Sequence, residues 1–149
     1  MSVAASPSRP IEDVPVRETW DRLKANSEAV LIDVRTRAEW SFVGLPDLGS
    51  VGRQPLLVEW LEYPENRLNA EFVGQLTEQL EAAGVSRSAE LFFICRSGAR
   101  SRHAAQAMTA AGYEHCYNVT EGFEGPLDGD GHRGVHSGWK AEGLPWAQG

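Results

Sequence analysis

The sequence predicts an α/β fold with a central, mostly parallel sheet flanked by helices on both faces. Short apolar runs of strand length alternate along the chain with helical patterns. The runs are nearly continuous rather than alternating, which is typical of strands buried on both faces of a parallel sheet. A chain of 149 residues suits one domain with a core of its own.

The first part of the chain predicts a tail, a helix, a strand and a short helix. Residues 1–10 are rich in Ser, Ala and Pro, so we expect a flexible tail without the apolar run of an export signal. Apolar spacing predicts a helix over 16–25 and a buried strand over 29–34. Thr36 and Glu39 have the spacing of a capping box, which predicts a short helix.

The middle of the chain predicts a strand over 55–60, with a buried loop as the alternative, and a helix over 69–83. Asn69 is placed to cap this helix and Gly84 to end it. Its apolar stripe would consist of Phe72, Val73, Leu76 and Leu80. The segment 52–66 is longer than a minimal domain of this kind needs.

The last part of the chain predicts a strand over 89–94, a helix over about 101–111 and a strand over 115–119. Together these elements define a domain over residues 11–125. Residues 126–149 are rich in Gly, Pro and Trp. We expect them to form an extension packed on the domain, with Trp139 and Trp146 as anchors.

Charge is spread unevenly along the chain. Lys and Arg number 14 and Asp and Glu 21, which gives a net charge of −7 and argues against nucleic-acid or anionic-membrane partners. Residues 91–113 nevertheless contain Arg96, Arg100 and Arg102 and no acid, so the remainder carries 11 − 21, or −10. Cys95 lies in this basic stretch.

Cysteine usage favours a reducing cytoplasm. The chain has two cysteines, and a domain of this size needs no disulfide. We expect Cys116 to be a packed core thiol, with a resolving role left open. No Cys/His pattern suggests zinc, and no stretch approaches the roughly 18 apolar residues of a membrane helix. His132 and His136 sit among glycines, so we expect surface loop residues rather than metal ligands.

Chemistry is predicted where the strand over 89–94 runs through a short loop into a helix. In open α/β sheets, ligands bind at the carboxyl ends of the strands, and Cys95 stands at that point. Unpaired helix N–H groups, the turn allowed by Gly98 and the nearby arginines all favour a thiolate and an anionic substrate. Cys95 is therefore the candidate nucleophile, with no separate base required.

The sequence resembles the rhodanese-like family of single-domain sulfurtransferases over roughly residues 14–124. Three segments carry the resemblance: Cys95-Arg96-Ser97-Gly98-Ala99-Arg100 before Ser101, Leu31-Ile32-Asp33-Val34-Arg35 before Glu39-Trp40, and residues 118–122. The ending over 138–146 is similar to a subgroup of bacterial members. The family's usual Gly-His-Ile type segment is replaced by residues 42–48, which lack the histidine.

The resemblance implies transfer of a sulfane sulfur from thiosulfate or a similar anionic donor through a persulfide on Cys95. The acceptor would be cyanide or a thiol, including a protein thiol, and no cofactor is needed. Arg96 and Arg100 would hold the donor's oxyanion end, and Ser97 and Ser101 would donate hydroxyl hydrogen bonds. The backbone of the loop, with Gly98 and Ala99, would form a ring of amides around the sulfur.

Asp33 and Arg35 are expected to support the site. Asp33 either orients a loop arginine or caps the next turn. Arg35 is expected to form a surface pair with Glu39, four residues on. His103, on the helix after the loop, is expected to be a solvated residue rather than a general acid.

Other functions on the same scaffold are a phosphatase or arsenate reductase, a non-catalytic protein-binding module and a persulfide carrier. The related phosphatases and arsenate reductases have a loop one residue longer, which argues against that activity. Retention of Cys95 argues against a non-catalytic module. A carrier would differ from the main hypothesis only in its acceptor.

Overall fold

A computed structural model describes residues 11–62, 67–96, 98–125 and 138–147. Its main sheet has five strands, which are β1 (Glu12–Val14), β2 (Val30–Asp33), β4 (Leu56–Leu57), β7 (Glu90–Ile94) and β8 (His115–Val119). Their order in the sheet is β1-β8-β7-β2-β4, and every neighbouring pair is parallel. The predicted α/β class is confirmed.

Helices cover both faces of this sheet. They are α1 (Val16–Ala25), α2 (Arg37–Phe42), α3 (Phe72–Ala82) and α4 (Ala99–Ala110). Alternate residues of the central strands point to opposite faces, because side chains in a strand alternate. Phe93 and Ile32 pack with α3 and α4, whereas Phe92 and Leu31 pack with α1.

Two small antiparallel sheets complete the described fold. The first pairs β5 (Leu61–Glu62) with β6 (Arg67–Leu68). The second pairs β3 (Leu45–Pro46) with β9 (Trp146–Ala147), so the described end of the chain returns to the segment after α2. Trp139 is fully buried and donates its indole N–H to the carbonyl of Pro145 at 2.6 Å.

Most predicted elements are present, with a few corrections. The predicted strand over 55–60 shrinks to two residues, since only Leu56 and Leu57 pair with β2. Asn69 does not cap α3: the helix begins three residues later, and the Asn69 side chain instead accepts from the N–H of Glu71. Val73 is 36% exposed rather than part of the buried stripe. Trp146 is also half-exposed, although it pairs through β9.

Among the residues described, no helix has the length and apolar character needed to cross a bilayer. The two histidines at 132 and 136 and the N-terminal tail lie outside the described residues.

Candidate functional site

Cys95 directly follows β7 and its sulfur takes the place of a capping group for α4. Its Sγ accepts the N–H of Gly98 at 3.1 Å and the N–H of Ser101 at 3.4 Å. Gly98 precedes the helix with a φ of +111°, a conformation that residues with a Cβ rarely adopt. Backbone donors at a helix N-terminus favour negative charge, so this position suits a sulfur nucleophile.

A chain of polar side chains leads from the sulfur to the surface. Ser101 Oγ lies 3.3 Å from Cys95 Sγ and donates to Asn118 Oδ1 at 2.5 Å. Asn118 Nδ2 donates in turn to Asp13 Oδ1 at 3.0 Å, and Arg102 donates to the same carboxylate. Asp13 and Asn118 meet because they are register partners on the adjacent strands β1 and β8.

The turn after β8 holds the backbone of the cysteine loop in place. Phe123 N–H donates to the carbonyl of Cys95 at 2.8 Å, and Glu124 N–H donates to that of Arg96 at 3.0 Å. Gly122 has a φ of +64°, and a Cβ there would lie 2.4 Å from the Cys95 carbonyl oxygen. Only glycine fits this contact without displacing the loop.

Arg100 is held by a glutamate from another element. Its guanidinium donates to both carboxylate oxygens of Glu39, at 2.8 and 2.9 Å. Glu39 also accepts from the N–H and hydroxyl of Thr36 in the capping box of α2. Burial acts to raise the pKa of Glu39, but the hydrogen bonds from Arg100 and Thr36 outweigh it and lower that pKa to about 2.

The arginines line a cleft of about 490 Å³ beside the cysteine loop. Its lining residues are Thr36, Ala38, Glu39, Val43, Leu61, Arg96, Arg100 and Glu124. Two arginines and two glutamates face this space, so its formal side-chain charge is 2 − 2, or zero. The basic stretch of the sequence is therefore balanced by acids from α2 and from the turn after β8.

Asp33 and Arg35 form a fully buried ion pair rather than the contacts that the sequence predicts. Arg35 donates through Nη2 to Asp33 Oδ2 at 2.7 Å and to the carbonyl of Gly44 at 2.7 Å. The predicted Arg35–Glu39 pair is wrong, because Glu39 binds Arg100 instead. Asp33 does not hold a loop arginine by hydrogen bonds; it accepts from the N–H of Arg35, which is the turn-capping alternative.

The other predicted residues fall in several places. Ala99 is the first residue of α4, and Ser97 lies outside the described residues. Ser101 differs from its expected role because its one hydroxyl hydrogen goes to Asn118. His103 is exposed on α4, as predicted. In the described ranges, no group of three or more His, Cys, Asp or Glu residues could hold a metal ion.

Three contributors to the site were not predicted as such from the sequence. Glu39 was expected to serve the capping box and to pair with Arg35, and nothing local signalled its contact with Arg100, 61 residues away. Asp13 and Asn118 are polar residues in strands, and Asn118 is 2% exposed in the middle of the fold. A polar side chain in a buried strand requires hydrogen-bond partners, and this is the signal that could have pointed to a polar network.

A family model, described as the STR4 middle domain, matches residues 12–149. The chain belongs to this family. An uncharacterised protein of Rickettsia rickettsii is 36% identical to this chain over 136 residues, covering 91% of this chain and 97% of the relative. That relative spans nearly the same domain as this chain.

Solved structures place this family member in the rhodanese-like fold. Rv0390 from M. tuberculosis has 45% sequence identity and a TM-score of 0.85, covering 95% of this chain and all of that one. A polysulfide-sulfur transferase homodimer from Wolinella succinogenes has 20% identity and a TM-score of 0.56, covering 92% of this chain and 78% of that one. A rhodanese-like domain protein from Staphylococcus aureus has 18% identity and a TM-score of 0.54, covering 91% and 97%. The last two show the fold alone.

Proposed function

We propose that this protein is a sulfurtransferase that moves a sulfane sulfur from thiosulfate or a similar anionic donor to a thiophilic acceptor. The observation that carries the proposal is the position of Cys95 Sγ at the N-terminus of α4, where it accepts two backbone N–H groups. These donors stabilise negative charge on sulfur, and the nucleophile and the persulfide both carry such charge. A rhodanese-like fold and a likeness to a polysulfide-sulfur transferase support the same chemistry.

The first step is attack of the Cys95 thiolate on the outer sulfur of the donor. With thiosulfate, the new S–S bond forms on Cys95 as the donor's S–S bond breaks, and sulfite leaves with the electron pair. The enzyme then holds a persulfide anion, and the total charge of −3 is the same on both sides. A thiolate or cyanide takes the outer sulfur and restores the Cys95 thiolate. No cofactor takes part in either step.

Arg96 is the better placed of the two loop arginines for binding the donor. Among the residues that the structure describes, no hydrogen bond or ion pair engages its side chain, which is exposed at the cleft. Arg100 is already bound on two donors by Glu39. We therefore assign oxyanion binding first to Arg96, while Arg100 contributes its positive charge close to Cys95.

The acceptor and location belong to the same proposal. Cyanide or a small thiol would serve in the test tube, and a thiol, including a protein thiol, in a reducing cytoplasm. Because the cleft carries both charges, it suits an anionic donor that is followed by an acceptor of either charge.

Initial-rate kinetics with thiosulfate and cyanide test the proposal. Two steps through a covalent intermediate predict parallel double-reciprocal lines, with thiocyanate and sulfite as products. Cys95→Ser should abolish the rate, whereas Cys116→Ser should leave it within about twofold, since Cys116 pairs with Leu91 near the start of β7, whereas Cys95 follows the end of that strand. Turnover of an aryl phosphate without sulfur transfer would indicate the phosphatase alternative and overturn the proposal, and inactivity in both assays would favour a binding module.

A further inference from the structure

The hydrogen bonds between Asp13, Asn118, Ser101 and Cys95 have only one consistent direction. The Asp13 carboxylate can only accept, and the hydrogen bond from Arg102 lowers the pKa of Asp13 and keeps it ionised. Asn118 must therefore point its amide NH2 at Asp13, as observed at 3.0 Å. Its carbonyl oxygen then faces Ser101.

This orientation determines what Ser101 can offer to Cys95. Ser101 has one hydroxyl hydrogen, and Asn118 Oδ1 takes it at 2.5 Å. Ser101 Oγ therefore presents only lone pairs to Cys95 Sγ, 3.3 Å away. A thiol can donate its S–H to those lone pairs, but a thiolate cannot.

We infer that Asn118 and Asp13 are positioning residues that hold the Ser101 hydroxyl as an acceptor for Cys95 and so favour the thiol over the thiolate at rest. The inference builds on the proposed role of Cys95 as the nucleophile. The Ser101 hydroxyl oxygen, which favours the thiol, thereby opposes the backbone N–H groups of Gly98 and Ser101, which favour the thiolate. The fraction of Cys95 that is present as thiolate thus depends on the balance between two sets of hydrogen bonds to the same sulfur.

Breaking the chain at any point should release the Ser101 hydrogen or remove the lone pairs. In Asn118→Leu the hydroxyl is free to donate to the thiolate, and in Ser101→Ala the acceptor is gone. Both changes replace one neutral side chain by another, so they leave the nearby charges unaltered: Asp13 and its partner Arg102, and Arg100 with Glu39 and Asp33. We expect the thiolate fraction at neutral pH to rise about fivefold, the effect of one net hydrogen bond.

The measurement is the pH titration of thiolate ultraviolet absorbance, with the Cys95→Ser protein subtracted so that Cys116 and the tyrosines cancel. It requires no donor or turnover, so it is independent of whether the protein transfers sulfur. If the wild-type protein transfers no sulfur but the titration midpoint shifts in the variants as expected, the proposed function alone is overturned. An unchanged titration midpoint in Asn118→Leu would overturn the inference alone.

Asp13→Ala provides a second test at a surface position that should not disturb folding. Its side chain is 43% exposed. Without this acceptor Asn118 is free to turn over, so the thiolate fraction should rise, by less than in Asn118→Leu. The rise should vanish in the Ser101→Ala background. A rise that persists there would show a through-space effect of the Asp13 charge and would contradict the chain.

Discussion

The carboxyl and amino edges of the main sheet each carry an arginine-lined cleft, but the hydrogen bonds around the two clefts are very different. Each has a cleft with an arginine, of about 490 Å³ at the carboxyl edge and 380 Å³ at the amino edge. At the amino edge, Arg53 donates to the carbonyls of Asn26 and Ala29. At the carboxyl edge, Arg96 stands exposed beside a loop whose amides converge on a sulfur.

The two cysteines repeat this contrast. Cys95 and Cys116 are both buried and neither forms a disulfide. Cys95 Sγ accepts two backbone N–H groups at a strand's end, while Cys116, near the start of β8, directs its Sγ to the carbonyl of Tyr113 at 3.9 Å. Burial is thus shared by both thiols, and the two backbone N–H groups directed at Cys95 Sγ are the reason that we expect Cys95 to be the more reactive thiol.

The glycines of the two edges should give the largest difference. Gly122→Ala forces a Cβ to within 2.4 Å of the Cys95 carbonyl oxygen at a φ of +64°, and should cost about 3 kcal/mol of unfolding free energy. Gly84→Ala has a similar φ of +74° but open space around it, and should cost about 1 kcal/mol. Urea unfolding measures the free energy lost in each variant. Equal losses would show that the cysteine loop shifts to make room for the added Cβ at no cost in stability.

The thiols should differ about tenfold in reactivity. Cys95 is 1% exposed and Cys116 7%, so access alone favours Cys116. Because the thiolate is the species that is alkylated, we expect iodoacetamide to modify Cys95 about tenfold faster in the native protein. Peptide mass mapping over time follows each thiol separately. Faster labelling of Cys116 would mean that exposure rather than hydrogen bonding governs these thiols.

The arginines should differ in donor binding. Arg96→Gln removes the exposed cation of the carboxyl edge and should raise the KM for thiosulfate by roughly fivefold to tenfold, with kcat less affected. Arg53→Gln at the amino edge should leave that KM unchanged, since its hydrogen bonds go to backbone carbonyls. Equal effects of the two substitutions would remove the assignment of the donor site to the carboxyl edge.

Glu39 should give an effect of a different kind, which appears as a dependence of stability on pH. Its pKa is about 2 in the folded protein, below its ordinary value of 4.5. The stabilisation is therefore fully present above pH 4.5 and is lost as the pH falls toward 2. In Glu39→Gln the free energy of unfolding should be lower at neutral pH and should fall less steeply below pH 4.5. Urea midpoints across that range test this, and parallel curves for the two proteins would contradict the shift.

The sequence predicted the elements of the fold better than the contacts of the site. Apolar periodicity placed α1 and most of α3, because the apolar face that each helix packs on the sheet is a property of the local sequence pattern. It placed Cys95 at a strand's end for the same reason. The partners of the charged residues depended instead on which strands and helices became neighbours. Glu39 pairs with Arg100 rather than with the predicted Arg35, because the fold brings α2 beside the start of α4. Arg35 pairs with the buried Asp33 instead.

Intact-mass spectrometry after incubation with thiosulfate tests the central claim most directly. The wild-type protein and Cys116→Ser should each gain the mass of one sulfur atom, and cyanide should remove it. Cys95→Ser should gain none. A sulfur on Cys95→Ser, or none on the wild-type protein, would contradict the assignment of Cys95 as the residue that carries the sulfur.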